Sequence, residues 1–170
     1  QSIVAVLSYF LDEGDMVISA IDKDENVAGT YTVTEHTFTD RYAGCSVAKD
    51  EIGMYQDLDF TVLCNENTAS AAEVFVATLR DYREEKGFRA GNIVGKTTFG
   101  KGIMQTTRTR FLWRSEAIKL TSAQICWPVS DKCIHGVGIA TADGCKSVAA
   151  SYAPDGEISA GLAALGITAA

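Results

Sequence analysis

The feature that most constrains this chain is a strand, a polar turn and an apolar helix run together between Phe60 and Tyr82. Phe60-Thr61-Val62-Leu63-Cys64 is a short apolar run, and Ala71, Ala72, Val74, Phe75, Val76, Ala77, Leu79 and Tyr82 suit a largely buried helix. Asn65, Asn67 and Thr68 between them supply turn and N-cap chemistry. A strand that turns this quickly into a helix puts Ser70 in the first helical turn, where backbone N–H groups lack intrahelical acceptors. Such free amides, with the positive end of the helix dipole, stabilise a developing oxyanion.

A serine hydroxyl is a poor nucleophile until a base takes its proton, and the usual base is histidine. The chain has two histidines. His36 lies in the polar stretch Val33-Thr34-Glu35-His36-Thr37, and His135 in the turn-like Ile134-His135-Gly136; neither has a motif around it. Lys101 is the alternative, because Phe99-Gly100-Lys101-Gly102 sets a lysine between two glycines at the entrance to an alternating segment. Glycines let backbone approach backbone and carry the amine into a crowded site. A lysine acts as a base near neutrality only when desolvation lowers its pKa from about 10.4 by several units. Gln105 is four residues further on a predicted strand, so period-two alternation puts it on the same face, where its amide oxygen can orient the amine.

Together these stretches carry a family resemblance. Thr68-Ala69-Ser70-Ala71-Ala72-Glu73, followed by Thr98-Phe99-Gly100-Lys101-Gly102 and Gln105, resembles the carboxyl-terminal processing proteases, or tail-specific proteases, of the S41 serine peptidases. One position departs from the pattern, Ala72, where a second serine is common; the nucleophile is untouched by it. The likeness continues through Lys119-Leu120-Thr121-Ser122-Ala123 and Ile134-His135-Gly136-Val137-Gly138-Ile139, and so covers most of the chain. It implies Ser70 as nucleophile, Lys101 as general base, Gln105 as the residue completing a Ser-Lys-Gln triad, and no metal or cofactor. It also implies an oxyanion hole made from the Ala71 amide and a glycine amide upstream of the first helix, a position ahead of Gln1. The expected fold is the ClpP/crotonase-like α/β fold of ββα units, truncated at the N-terminus. Residues 1–170 then form the C-terminal part of one catalytic domain, without the family's N-terminal cap and PDZ regions. Polypeptides with apolar C-terminal tails are the implied substrates, in an extracytoplasmic parent protein, and a homo-oligomer is compatible with the resemblance.

Bulk properties agree with a single folded domain: 170 residues, 46% hydrophobic, with two prolines. A net charge of −7 with no basic patch disfavours nucleic acid and anionic membrane as partners. The apolar stretch from Ile3 to Leu11 falls far short of the roughly 20 residues a membrane span needs. Five cysteines show no Cys-x-x-Cys and no spacing with histidine that suits zinc. Cys126 and Cys133 flank a predicted turn and can face one another across a hairpin, bonded or free; Cys64 reads as a buried small hydrophobe.

In chain order, Ser2 to Phe10 reads as a helix stopped by Gly14 and packed on a sheet, and Met16–Ile21 with Val27–Val33 as a hairpin. Residues 34–59 read as an irregular connection with one short helix near Val47 to Ile52. The charged run from Arg80 to Lys86 reads as a solvated helix end, and Phe88 to Asn92 as a surface insertion. Ile93-Val94-Gly95 reads as a strand, Ile103–Leu112 with Ala117–Trp127 as a second hairpin, and Ser159–Leu165 as a short helix. Two other functional classes compete with the Ser-Lys peptidase. One is a non-catalytic ligand- or peptide-binding module on the same fold; the other is a hydrolase using His135, for which no acid partner is found.

Overall fold

The computed structural model describes residues 2–39, 44–86, 92–111, 115–127, 132–139, 145–147 and 156–167. They form an α/β structure in which α2 (Ala71–Lys86) carries the core between two different kinds of sheet. The first sheet is antiparallel, in the order β2 (Val27–Thr32), β1 (Met16–Ile21), β8 (Ser115–Cys126), β7 (Ile103–Phe111). The second is parallel, in the order β5 (Thr61–Cys64), β6 (Asn92–Gly95), β9 (Cys145–Ser147). Its apolar strands need cover, and α3 (Gly156–Ala164) packs on β5 and β6 so closely that Gly161 lies against Leu63 and Thr61.

Glu73, Val74, Val76, Ala77, Thr78, Leu79 and Tyr82 are all buried, which gives α2 a wide inward face and explains its run of small and apolar residues. Leu7, Leu11, Val17, Ile93 and Trp127 meet that face. Burying a side chain of this size contributes about 1.5–3 kcal/mol against leaving it in water. Three polar side chains in the core are tied by hydrogen bonds. The Trp127 indole donates to Thr78 Oγ1 at 3.2 Å, Thr78 Oγ1 donates to the Val17 carbonyl at 3.3 Å, and the Tyr82 hydroxyl donates to the Met16 carbonyl at 2.8 Å. These bonds fasten α2 to the antiparallel sheet at three points.

Several expectations are corrected. The first helix, α1 (Ser2–Ser8), ends before Gly14, with Leu11 N–H donating to the Leu7 carbonyl at 3.1 Å. Gly14 instead serves the turn before β1, donating its N–H to Val33, and α1 packs chiefly on α2 and β4 (Gly44–Val47). The stretch 34–59 is not irregular throughout: β3 (His36–Thr39) and β4 pair as antiparallel strands, while the short helix expected near Val47 to Ile52 is present as a 3₁₀ turn at Lys49–Glu51 and turns follow it. Arg80 and Asp81 are not solvated; their ion pair at 2.8 Å has side chains 8% and 1% exposed. Strand β9 was not legible in a Gly/Ala/Ser-rich region. The insertion at 88–92 lies outside the described residues up to Asn92, which begins β6. The two hairpins β1–β2 and β7–β8 and the helix α3 form as the periodicity predicts.

Gly95 ends β6 opposite Cys64 with φ +140°, and a Cβ there would sit 1.8 Å from the Cys64 carbonyl oxygen. The clash is with backbone, so no side-chain rotation relieves it. Gly95→Ala is expected to lower unfolding free energy by about 3 kcal/mol or more, measured by urea denaturation. A loss under about 1 kcal/mol would contradict the observed β5–β6 register.

Candidate active site

The turn after β5 is built by its own side chains. Thr68 N–H donates to the Asn65 carbonyl at 2.9 Å, Asn65 N–H to Thr68 Oγ1 at 3.0 Å, and Asn67 N–H to Asn65 Oδ1 at 2.9 Å. Glu66, fully exposed at its rim, has a carboxyl held below the usual range by a backbone hydrogen bond and by Lys96 at 3.1 Å. Ser70 follows, half-buried, one residue ahead of α2 and not inside its first turn as expected. Its φ is +58°, in the left-handed region that costs an L-residue roughly 1–2 kcal/mol. A non-glycine residue held there at a strand-to-helix turn is a conformation the surroundings must enforce.

Glu73 enforces it. Its carboxylate is wholly buried, one turn into α2, and reaches back to accept the Ser70 N–H at 2.8 Å, half of a capping box. The same carboxylate accepts Thr98 Oγ1–H at 2.7 Å, Gly100 N–H at 2.6 Å and Lys101 N–H at 2.8 Å. Oε2 alone takes the amides of Ser70 and Lys101, so those two nitrogens lie at most twice 2.8 Å apart. A further bond, Phe99 N–H to the Thr68 carbonyl at 2.9 Å, ties the two turns outside the carboxylate. The structure therefore brings the Ser70 and Lys101 turns together through backbone donors on one buried anion.

Lys101 is half-buried in the turn before β7, and Gly100 beside it has φ +90° with its hypothetical Cβ only 2.8 Å from Gly138 N. Close backbone approach is thus what the glycine provides. Gln105 lies exposed on β7, just past a register irregularity between Met104 and Gln105 that interrupts simple alternation. Among the described residues no hydrogen bond joins it to Lys101. Ala71 is exposed at the head of α2. The amides around it are used, Ser70 by Glu73, Ala72 by the Ala69 carbonyl and Val74 by the Ser70 carbonyl, while no acceptor takes the Ala71 N–H among the described residues. His135 is exposed in the turn at 135–137, and His36 pairs through its backbone with Val47.

Two depressions flank these turns. An apolar groove of about 590 Å³ is lined by Val6, Phe10, Leu63, Thr68, Ala72 and Phe75 among others, and so reaches residues two before and two after Ser70. A smaller, more polar cleft of about 290 Å³ lies beyond Lys101, between Ile103, Gln124, Asp22, Lys23 and His135. Among the described residues no group of His, Cys, Asp or Glu is arranged to hold a metal ion, and no helix is long and apolar enough to cross a membrane.

A strand-turn-helix serine and a glycine-flanked lysine thus share one buried carboxylate on an α/β scaffold, and comparison with known proteins gives the chain a family. Residues 1–142 match the model of peptidase family S41, and the chain belongs to that family. It is 30% identical over 137 residues to "Probable CtpA-like serine protease" of Staphylococcus aureus, covering 80% of this chain and 22% of that protein. The protein of the same description in Staphylococcus haemolyticus is 34% identical over 120 residues, covering 70% and 21%. The chain thus spans about a fifth of the length of these curated relatives. Among solved structures, the photosystem II D1 C-terminal processing protease aligns with a TM-score of 0.56 at 22% identity, over 81% of this chain and 29% of that one. A Bacteroides fragilis chain described as an S41 protease aligns with a TM-score of 0.55 at 14% identity, over 98% and 41%. At these identities the structural likeness concerns the fold, and it agrees with the α/β fold expected of an S41 protease.

The residue whose work sequence reasoning missed is Glu73. Ser70-x-x-Glu73 has capping-box spacing, which signals the bond to Ser70; its three partners at 98–101 left no local signal. Removing the carboxylate would leave three amides and a hydroxyl without their acceptor. Glu73→Ala is expected to cost about 3–5 kcal/mol of unfolding free energy, read by denaturant titration. A cost under about 1 kcal/mol would mean that the carboxylate does not hold the two turns.

Proposed function

We propose that this chain is the catalytic part of a serine endopeptidase in which Ser70 is the nucleophile and Lys101 its general base. The observation that carries the reading is the shared carboxylate of Glu73, which ties the turn bearing Ser70 to the turn bearing Lys101. In this mechanism Lys101 takes the Ser70 proton as Oγ attacks a peptide carbonyl, then returns it to the leaving amine. Water hydrolyses the acyl-enzyme by the same route in reverse. The Ala71 amide, at the positive end of α2, faces the developing oxyanion, and Gln105 orients Lys101 once substrate is bound. No metal or cofactor takes part.

Apolar carboxyl-terminal tails fit this site as substrates, because the groove beside Thr68 and Ala72 is lined mainly by aliphatic and aromatic side chains. Membership of peptidase family S41 and the likeness to CtpA-like serine proteases support the same reaction class. The domain assignment is one S41 catalytic domain over residues 1–170. The parent protein works outside the cytoplasm, an assignment supported by the disulfide between Cys126 and Cys133, since such bonds persist in oxidising compartments.

The test is hydrolysis of an unfolded polypeptide with an apolar carboxyl terminus. Ser70→Ala and Lys101→Ala are each expected to lower kcat/KM by about 10³-fold or more. Lys101→Arg is expected to be as inactive, because the guanidinium stays protonated. Appreciable turnover by Lys101→Arg would rule out the lysine base, and peptide binding without any turnover in the unmodified chain would favour a binding module.

A further inference from the structure

The Lys101 turn rests on a second turn, and that second turn is anchored by the one disulfide among the described residues. Residues 133–139 fold back under residues 98–102. Gly136 N–H donates to the Gly100 carbonyl at 2.8 Å, Thr98 N–H to the Ile139 carbonyl at 3.3 Å, and Ile139 N–H to Thr98 Oγ1 at 2.8 Å. Thr98 Oγ1 is the hydroxyl that donates onward to Glu73. The contact is tight enough that a Cβ at Gly102 would lie 2.8 Å from His135 N. Within the lower turn, Val137 and Gly138 N–H both donate to the Ile134 carbonyl, at 3.0 and 2.9 Å. Ile134 is buried, while His135, Gly136 and Val137 are exposed.

At its start this turn is held by Cys133, bonded to Cys126 with Cα atoms 4.6 Å apart. Cys126 ends β8, in register with Ser19 of β1, in the centre of the antiparallel sheet. An isolated bridge between the two cysteines and Trp127 N–H to the Lys132 carbonyl at 3.2 Å run beside the bond. The disulfide thus links a rigid sheet to the turn that supports the Lys101 loop. Cys126 is 5% exposed and Cys133 is half-buried, which leaves Cys133 as the more accessible sulfur.

We propose that the Cys126–Cys133 disulfide is a redox-responsive clamp on the Lys101 turn: intact, it orders the site, and its reduction releases residues 133–139 and with them Gly100 and Lys101. The step balances as thiol–disulfide exchange. A dithiol attacks Cys133 Sγ as thiolate, the S–S bond breaks with Cys126 leaving, and the second thiol of the reductant completes its own disulfide. The protein gains two electrons and two protons and ends with two thiols; the dithiol is oxidised. The consequence for catalysis rests on the peptidase reading above, whereas the consequence for order does not.

The experiment is amide hydrogen exchange on the whole chain, oxidised and after dithiothreitol, with Cys133→Ala as a variant that loses this bond alone. Exchange at Gly100, Lys101, Gly136 and Ile139 is expected to rise by about tenfold or more in both, while Val76, Ala77 and Leu79 in α2 stay protected. Reoxidation of the unmodified chain is expected to restore protection, and Cys133→Ala is expected to ignore the reductant. Unchanged exchange at those four amides overturns the clamp, as does a rise shared equally by α2, which would be global loosening. Where hydrolysis is measured alongside, kcat falling with the rise in exchange supports the clamp. A kcat indifferent to reduction in an active chain overturns its link to the site. A redox-dependent rise in exchange in a chain inactive in both states supports the clamp and counts against the peptidase reading.

Discussion

A carboxylate removed from water must be matched by donors, and the buried carboxylate of Glu73 is matched by four. That requirement organises the site. An unpaired buried anion is far more costly than any single hydrogen bond, so the donors at Ser70, Thr98, Gly100 and Lys101 are effectively compelled to converge on it. Convergence of donors from two separate stretches of chain is the same event as assembling the two turns. Ser70, held in the left-handed region, is one of these donors through its N–H.

The two sheets contribute differently to this arrangement. The parallel sheet supplies direction: β5 ends at the turn that carries Ser70, and its neighbour β6 ends at Gly95, just before Thr98. Parallel pairing places these two strand ends side by side, so the turns that follow them start close together. The antiparallel sheet supplies rigidity, since β7 leads directly out of the Lys101 turn and is paired along its length with β8. The bonds from Tyr82 and Thr78 tie α2 to β1 of that sheet, and the turn at 133–139 packs against the Lys101 turn. Glycines occur where backbone meets backbone in this junction, and the apolar groove opens where α1, β5 and α2 leave space between them.

Much of the fold was written in local pattern. The period of two over Ile103–Leu112 and Ala117–Trp127 announced the long hairpin, and the buried face of α2 was plain in Val74, Val76, Ala77, Leu79 and Tyr82. What failed did so for identifiable reasons. The β3–β4 hairpin is polar and short, so nothing in it alternates strongly. Strand β9 has three residues and is held by a parallel neighbour, a partner that sequence does not name. Arg80 and Asp81 read as solvent-facing because charge normally is; here each shields the other inside.

By itself the sequence determined the candidates: the order Ser70, Lys101, Gln105, the glycines around the lysine, the helix that begins after the serine, and the α/β class. These are properties of residue type and spacing, which the chain carries before it folds. Tertiary structure alone decided what holds the candidates together. That Glu73 accepts from residues 25 to 28 positions away is a long-range fact, invisible to any window of local pattern. The same is true of the register irregularity after Met104, which alternation assumes away, and of the bond between Cys126 and Cys133, which spacing allowed without deciding. A short-range code can specify where the chain turns, but which turns meet is settled by the burial of charge and apolar surface across the whole fold.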